Sequence, residues 1–220
     1  MSERKIVKNS AFVKNEEEFS EIIDLGFVKN EFNQYSYTYK KNFENRIIYI
    51  DQEIDQMMAL DCTRLIMYYN KEDANLSVEE RKPIKLFVYT PGGDVMAMWH
   101  IVDICRLSKT PVYTYNLGCS FSAGFVILLA GHKRYGLKNS TVLCHKGSVY
   151  SMSGNIDDVR AGLSTGIDSV KKIFNFITER TKITKKMLDK KTPSDWYITG
   201  DEQLELGIID EMVEDIDCML

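Results

Sequence analysis

Apolar residues from Arg46 onward follow two periods, one typical of strands and one typical of helices. The strand period predicts two short strands, over residues 133–137 and 141–145, on either side of a turn at Asn139-Ser140. Between the strands, apolar residues recur every three or four positions, which is the spacing of a helix with one buried face. This alternation predicts an α/β fold with a largely parallel sheet. Continuous apolar runs predict three further buried strands: RIIYI, IKLFVYT and PVYTYNL.

Three helical stripes are regular enough to predict helices. One runs from Ile54 to Tyr69 and a second from Val95 to Cys105. The third extends from Ile156 to Ile177 in alternating steps of three and four, and it predicts one long helix with a single apolar seam. The segment GCSFSAGF is predicted to be a turn that enters a short buried helix.

The first 35 residues depart from this regular pattern. Apolar residues over 19–23 predict a helix, with Gly26 where a glycine would end it. Tyr35, Tyr37 and Tyr39 then alternate with polar residues, which predicts an extended segment.

The C-terminal part of the chain predicts one more short helix. Thr199 and Glu202 have the spacing of a capping box, and Gly207 follows where the helix would end. Shortly before it, Asp195 lies in TPSDWY between a turn and an aromatic pair. By itself, Asp195 is most simply a turn or capping residue.

Composition and charge narrow the class of protein. The 220 residues are 44% hydrophobic, so one domain can bury a full core without disulfides or metals. A net charge of −4 argues against nucleic-acid and anionic-membrane partners. The longest aliphatic stretch, Phe125 to Ala130, is too short to span a membrane, and the start lacks a signal peptide. The 5 scattered cysteines predict neither a disulfide framework nor a zinc site and are typical of a cytoplasmic protein.

Two strand-to-helix turns can present backbone N–H groups to an anion. Gly92-Gly93 permits positive φ and close approach of the backbone, although an ordinary turn explains the same residues. Ser122 begins a helix, where its Oγ can act as a nucleophile or simply cap the helix. The surrounding residues do not form G-x-S-x-G, and Ser120 is a local rival.

The 3 histidines differ in their positions along the predicted elements. His145 closes a strand, whereas His100 lies within a helix pattern and His132 in a basic turn. A histidine at a strand end is often structural, so His145 is a weak candidate when taken alone.

Taken together, these residues predict a serine hydrolase. Ser122, His145 and Asp195 occur in that order, each at the end of an element, after a glycine pair. A serine hydroxyl needs a base, the base needs an acid that holds its tautomer, and the oxyanion needs two N–H donors. The order disfavours the α/β-hydrolase, chymotrypsin-like and subtilisin-like folds, whose catalytic residues follow other orders.

The stretch from about Tyr39 to Val213 resembles the proteolytic subunit of the Clp protease, ClpP, and its phage and plasmid relatives. The resemblance implies a crotonase-like α/β fold with stacked parallel strands, crossover helices and a protruding handle helix over about 156–180. It also implies a peptidase domain over 36–220 and a divergent N-terminal, axial segment over 1–35. Four segments carry the resemblance: FVYTPGGDV, GCSFSAGF, VLCH and SDWYITGDEQLELGIID.

The resemblance also implies the roles of individual residues. Ser122 would be the nucleophile, His145 the general base and Asp195 the acid that orients the base. Gly93 and Ala123 would supply the oxyanion-hole N–H groups, with no metal and no cofactor. The enzyme would hydrolyse unfolded polypeptides inside stacked heptameric rings, fed by an AAA+ unfoldase of the ClpX or ClpA type, in the cytoplasm. Nucleic acid and membranes are not expected partners.

The chain departs from the family pattern at two places near the site. Lys146-Gly147 follows the histidine where the family has Gln-Pro, and Ser194 replaces the arginine before the acid. Two alternatives remain at this point: a non-catalytic or regulatory Clp-like subunit, and a signal-peptide-peptidase-like serine protease of the same fold. A crotonase-type acyl-CoA enzyme would share the glycine loop but would not need the triad.

Overall fold

The computed structural model describes residues 34–147 and 154–219. By compactness the chain divides into two units, residues 1–41 and 42–220. The prediction of an extended segment at Tyr35, Tyr37 and Tyr39 is wrong, because helix α1 (Gln34–Glu44) covers it. In this helix Lys41 lies over the Tyr37 ring one turn away, a contact that an extended chain would not allow. The helix predicted over 19–23, with Gly26 at its end, lies outside the described residues.

Strands and helices alternate through the second unit. The remaining helices are α2 (Gln56–Glu72), α3 (Val95–Leu107), α4 (Ala123–Leu128), α5 (Ile156–Arg180), α6 (Lys185–Lys191) and α7 (Gly200–Glu205). The strands are β1 (Ile47–Ile50), β2 (Ile84–Thr90), β3 (Val112–Phe121), β4 (Lys133–Gly136), β5 (Thr141–Cys144), β6 (Trp196–Thr199) and β7 (Glu211–Met212).

The described strands form one sheet that is mostly parallel, which confirms the predicted fold class. The order β1-β2-β3-β4-β7 is parallel throughout. Strand β5 also pairs parallel with β3, and β6 runs antiparallel to β5. A strand–helix alternation with right-handed crossovers produces this kind of sheet and covers it with helices.

Strand β3 changes partner in its middle, and this change determines where the site lies. It pairs with β4 up to Asn116 and with β5 from Cys119 onward. Its register against β2 also shifts between Val88 and Thr90, which indicates a bulge. The turn and buried helix predicted over GCSFSAGF are confirmed at Ser122 and Ala123–Leu128, but the turn begins later than predicted, because GCSF still belongs to the strand and contains its bulge.

The two helices α2 and α3 bury most of the apolar residues from which they were predicted. Ile54, however, precedes α2 and pairs with the backbone of Gly93, and Met57 is 61% exposed. The capping box is also wrong, because Thr199 stands at the N-cap of α7 without a side-chain hydrogen bond. Gly207 follows the end of α7 with φ +67°, as predicted.

Helix α5 confirms the long helix, but its apolar seam is buried only near the C-terminal end. Phe176 and Ile177 are buried, whereas Ile156, Leu163 and Ile167 are half exposed or more. Within the described ranges, no helix has the length and apolar character needed to span a membrane.

Candidate active site

Ser122 lies in a tight turn between β3 and α4. Its φ of +53° and ψ of −114° are strained for a residue with a Cβ. The backbone N–H donates to the Leu143 carbonyl at 3.0 Å, and the carbonyl accepts the Phe125 N–H at 3.1 Å. The side chain makes no capping hydrogen bond to α4, so the interpretation of Ser122 as a side-chain cap is wrong. The turn instead leaves Oγ available for another partner.

That partner is His145, which directly follows β5. His145 Nε2 lies 2.6 Å from Ser122 Oγ, within hydrogen-bond distance. The contact follows from the sheet, because β3 and β5 are parallel neighbours, with Phe121 opposite Leu143. Both strands therefore deliver the next residues to the same edge of the sheet.

The other two histidines have structural partners away from this contact. His132 Nδ1 accepts the Val112 N–H at 3.1 Å, and burial lowers the pKa of this imidazole. His100 Nε2 lies 2.8 Å from Thr63 Oγ1 on α2. Of the three histidines, His145 alone contacts Ser122.

Asp195 lies on the other side of the imidazole and is less firmly held. It precedes β6, whose residue Trp196 pairs with Cys144, so Asp195 comes opposite His145. Its Oδ1 is 3.8 Å from His145 Nδ1, which is longer than a hydrogen bond. Its side chain is 53% exposed, against 21% for His145.

Tyr197 is a neighbour of the acid that sequence reasoning missed. Its hydroxyl donates to Asp195 Oδ2 at 3.5 Å, at the long end of hydrogen bonding. The signal was the strand period of two, which sets residues 195 and 197 on one face. The Tyr197 ring also packs edge-on against Phe121, the residue before the serine, at 5.8 Å between ring centroids.

The glycine loop bends with two positive φ angles, +108° at Gly92 and +150° at Gly93. The Ile54 backbone holds it: Ile54 N–H donates to the Gly92 carbonyl, and Asp94 N–H donates to the Ile54 carbonyl, both at 2.8 Å. This pairing uses the Gly92 carbonyl and the Asp94 N–H and does not use the Gly93 N–H. Glycine is needed here because a Cβ on Gly93 would collide with the Ile54 backbone.

The glycine loop and the serine turn lie against each other. A Cβ on Gly92 would come within 2.9 Å of Ser122 Cβ and 3.4 Å of Ala123 N. Within the part of the chain that the structure describes, neither the Gly93 N–H nor the Ala123 N–H donates to an acceptor. Free backbone N–H groups in two adjoining turns can bind a developing oxyanion.

The other hydroxyl and thiol groups near Ser122 are buried or have a raised pKa. Ser120 is fully buried, and its Oγ donates to Asn116 Oδ1 at 3.0 Å. Cys144 is buried beside His145, and burial raises the pKa of its thiol to about 12. Burial also raises the pKa of Cys119. Among Ser120, Ser122, Cys119 and Cys144, Ser122 is the residue whose side chain lies within hydrogen-bond distance of the His145 imidazole.

Residues 34–147 and 154–219 contain no group of three or more His, Cys, Asp or Glu side chains arranged to hold a metal ion. Lys146, which departs from the family pattern, is exposed directly after His145.

Comparisons with known proteins give a consistent result. The family model described as Clp protease matches residues 30–215. The "ATP-dependent Clp protease proteolytic subunit 2" of Treponema pallidum (strain Nichols) is 33% identical over 178 residues, or 80% of this chain and 86% of the relative. The "ATP-dependent Clp protease proteolytic subunit" of Deinococcus radiodurans is 25% identical over 178 residues, or 80% and 84%. Nothing in these matches favours a regulatory subunit or a signal-peptide-peptidase-like enzyme.

Proposed function

Because the chain belongs to the Clp protease family and is a ClpP-like serine peptidase, we propose that it cleaves polypeptides with Ser122, His145 and Asp195. The observation that carries this proposal is the 2.6 Å contact between Ser122 Oγ and His145 Nε2. A serine this close to a neutral imidazole can lose its proton as it attacks a carbonyl.

The reaction is acyl transfer in two steps. Ser122 Oγ attacks the peptide carbonyl carbon while its proton passes to His145 Nε2. The C–N bond then breaks, and the amine leaves with that proton. A water molecule next attacks the acyl ester, His145 takes the water proton and returns it to Ser122 Oγ, and the carboxylic product departs.

The Gly93 and Ala123 N–H groups bind the oxyanion in this proposal. Negative charge appears on the former carbonyl oxygen only as the tetrahedral intermediate forms, so these donors stabilise the transition state more than the substrate. One such donor contributes on the order of 10²–10³ in kcat in serine proteases.

Asp195 orients the imidazole in this proposal. A carboxylate at Nδ1 holds the proton there and leaves Nε2 free to accept the serine proton. The 3.8 Å separation from Nδ1 has to shorten for a hydrogen bond to form. Catalytic hydrogen bonds are often long without substrate and tighten when it binds.

The assembly and location are part of the same proposal. Residues 36–220 form the peptidase domain, and residues 1–35 form a divergent axial segment. The chains form stacked heptameric rings in the cytoplasm, where an AAA+ unfoldase of the ClpX or ClpA type feeds them with unfolded polypeptides. The relatives named as ATP-dependent Clp protease subunits support the unfoldase partner. Five cysteines with free thiols support a reducing compartment.

Ser122→Ala tests the proposal, with Ser120→Ala as the matched control two residues away. We expect Ser122→Ala to lower hydrolysis of a fluorogenic peptide by about 10⁴-fold or more, because the nucleophile is lost. Ser120→Ala should keep most of the activity, because Asn116 Oδ1 loses one of its two donors and still accepts the Gly118 N–H, and the contact between Ser122 and His145 is untouched. Mass spectrometry after fluorophosphonate treatment should find the adduct on Ser122. An adduct on Ser120, or wild-type activity in Ser122→Ala, would contradict the assignment.

A further inference from the structure

Two side-chain amides are completely buried in the second unit, Asn116 on β3 and Gln203 on α7. Each is 0% exposed. The Asn116 Nδ2–H donates to Gln203 Oε1 at 3.1 Å. A buried amide without partners costs free energy, so a chain that buries two of them must satisfy both. We call this pair the amide brace.

Asn116 holds the bulge of β3 from inside. Its Oδ1 accepts the Gly118 N–H at 3.3 Å and the Ser120 hydroxyl at 3.0 Å. Its Nδ2 also donates to the Thr141 carbonyl at the start of β5, at 3.3 Å. One side chain therefore fixes both the bulge and the point where β3 meets its new partner.

Gln203 ties α7 to the turn before β5. Its Nε2 donates to the Ser140 carbonyl at 2.6 Å, and the Gly200 N–H shares that carbonyl at 3.3 Å. The Ser140 hydroxyl in turn donates to the Leu137 carbonyl at 2.7 Å. The position of α7 is thus linked to β5 by buried hydrogen bonds.

Each segment that the brace joins leads to one member of the proposed triad. Strand β3 runs from Asn116 through the bulge to Ser122, and β5 runs from Thr141 to His145. Asp195 precedes β6, which continues directly into α7. The brace therefore lies where the three segments are held together, away from the reacting atoms.

We infer that the amide brace sets the position of Ser122 relative to His145, so Asn116 and Gln203 are positioning residues for peptide hydrolysis. This inference rests on the proposed function. The brace contacts no reacting atom and acts through the bulge of β3 and the start of β5. A misplacement of about 1 Å at a reacting group can cost about 10²-fold in rate. The hydrogen bonds of the brace therefore matter for turnover as well as for stability.

The experiment uses Asn116→Ala and Gln203→Met in the full-length chain. Methionine keeps the length and approximate volume of glutamine and removes its polar atoms, so packing changes little. With a fluorogenic peptide, we expect each variant to lower kcat by about tenfold or more and to leave KM within about twofold. The rate of fluorophosphonate labelling at Ser122 should fall in parallel with kcat.

Asn70→Ala is the matched control, because Asn70 makes a similar set of bonds elsewhere. Its Nδ2 donates to Ser108 Oγ at 2.6 Å, and its Oδ1 accepts the Lys109 N–H at 2.9 Å. This amide joins α2 to the segment after α3 and has no bond to β5 or α7. We expect Asn70→Ala to lower the melting temperature as the brace variants do, with kcat unchanged.

The outcomes separate the inference from the function on which it rests. A folded wild-type protein that neither cleaves the peptide nor reacts with fluorophosphonate would contradict the proposed function, and the inference with it. An active wild-type protein with unchanged kcat in Gln203→Met would overturn the inference alone. An equal loss of kcat in Asn70→Ala would also overturn it, because general destabilisation would then explain the effect. If Asn116→Ala does not fold, Gln203→Met decides the question.

Discussion

At the scale of single residues, the proposed triad is unevenly held. Ser122 is fixed by a strained turn and two backbone hydrogen bonds, and His145 contacts it at 2.6 Å. Asp195 is half exposed and has only a long contact to the imidazole. The proposed base and acid should therefore differ in how much activity depends on them.

His145→Ala and Asp195→Asn should lower peptide hydrolysis to different extents. His145→Ala removes the proton acceptor and should lower kcat by about 10⁴-fold or more. Asp195→Asn keeps the base but disturbs its tautomer, and we expect a loss of about 10²–10⁴-fold. The measurement is kcat for a fluorogenic peptide, with Asp201→Asn, an exposed carboxylate on α7, as the control at wild-type rate. A larger loss in Asp195→Asn than in His145→Ala would contradict this order.

The candidate site could be predicted from the sequence to a useful extent at this scale. Ser122 and His145 follow parallel strands, which bring such ends to one edge of a sheet, and Asp195 reaches the same edge because it precedes β6, which runs antiparallel to β5. The choice between nucleophile and helix cap at Ser122 needed the geometry, because both roles require the same residue at the same place. Asn116 and Gln203 could not be predicted, because nothing in a single sequence shows that two distant amides meet.

At the scale of elements, the glycine loop lies directly against the turn that carries Ser122. Gly92 has φ +108°, and a Cβ there would lie 2.9 Å from the Phe121 carbonyl oxygen and from Ser122 Cβ. Both contacts are with the turn that carries the proposed nucleophile. A methyl group at this position must therefore move one of the two loops.

Gly92→Ala should lower activity and stability together. A side chain at this φ costs about 1–3 kcal/mol of folding free energy, and displacement of the serine turn should lower kcat by about 10²-fold. Gly166→Ala on α5 is the matched control, because a Cβ there meets nothing within 4 Å. In the helix that change should stabilise by about 0.5–1 kcal/mol. Chemical denaturation and peptide turnover measure both effects, and full activity in Gly92→Ala would contradict the proposed part played by the loop.

Two predictions made from the sequence pattern differ from the structure for identifiable physical reasons. The alternation of Tyr35, Tyr37 and Tyr39 suits a strand, but no strand pairs with it in the described sheet, and the segment is helical. The turn over GCSFSAGF was predicted to begin too early, because the bulge and the change of partner at GCSF also interrupt an apolar run, and the turn itself is at Ser122. Hydrophobic periodicity reports which residues are buried, and it does not report which strand lies next to which.

At the scale of the whole molecule, helix α5 leaves an apolar seam uncovered. Ile156 is 77% exposed, Leu163 52% and Ile167 50%. Soluble monomers seldom expose a contiguous apolar patch of this kind, because burying it against a partner is favourable. We therefore expect this seam to be an interface between copies of the chain.

Leu163→Asp should weaken assembly, and Ser164→Asp is its matched control. The two changes introduce the same charge at neighbouring positions, but Leu163 belongs to the apolar seam and Ser164 does not. A buried, unpaired carboxylate is costly, so Leu163→Asp should shift the protein towards smaller species. Light scattering at several concentrations measures the mass. Equal masses for the two variants would contradict an interface along the seam.

Assembly of the chain should depend little on salt concentration. Ser194 precedes Asp195 and carries no charge, so this position cannot form an ion pair with another copy of the chain. Assembly through an apolar seam depends on buried area, which added salt does not screen. Exposed ion pairs are screened by salt, because the Debye length falls from about 10 Å at 0.1 M to about 3 Å at 1 M. The assembled mass in light scattering should therefore change little between low salt and about 1 M salt. Ser194→Arg should add little stability unless an acidic group, such as Glu179 of another copy, lies within reach. An assembly that dissociates as salt rises would show that ion pairs hold the copies together and would contradict the apolar seam as the main contact.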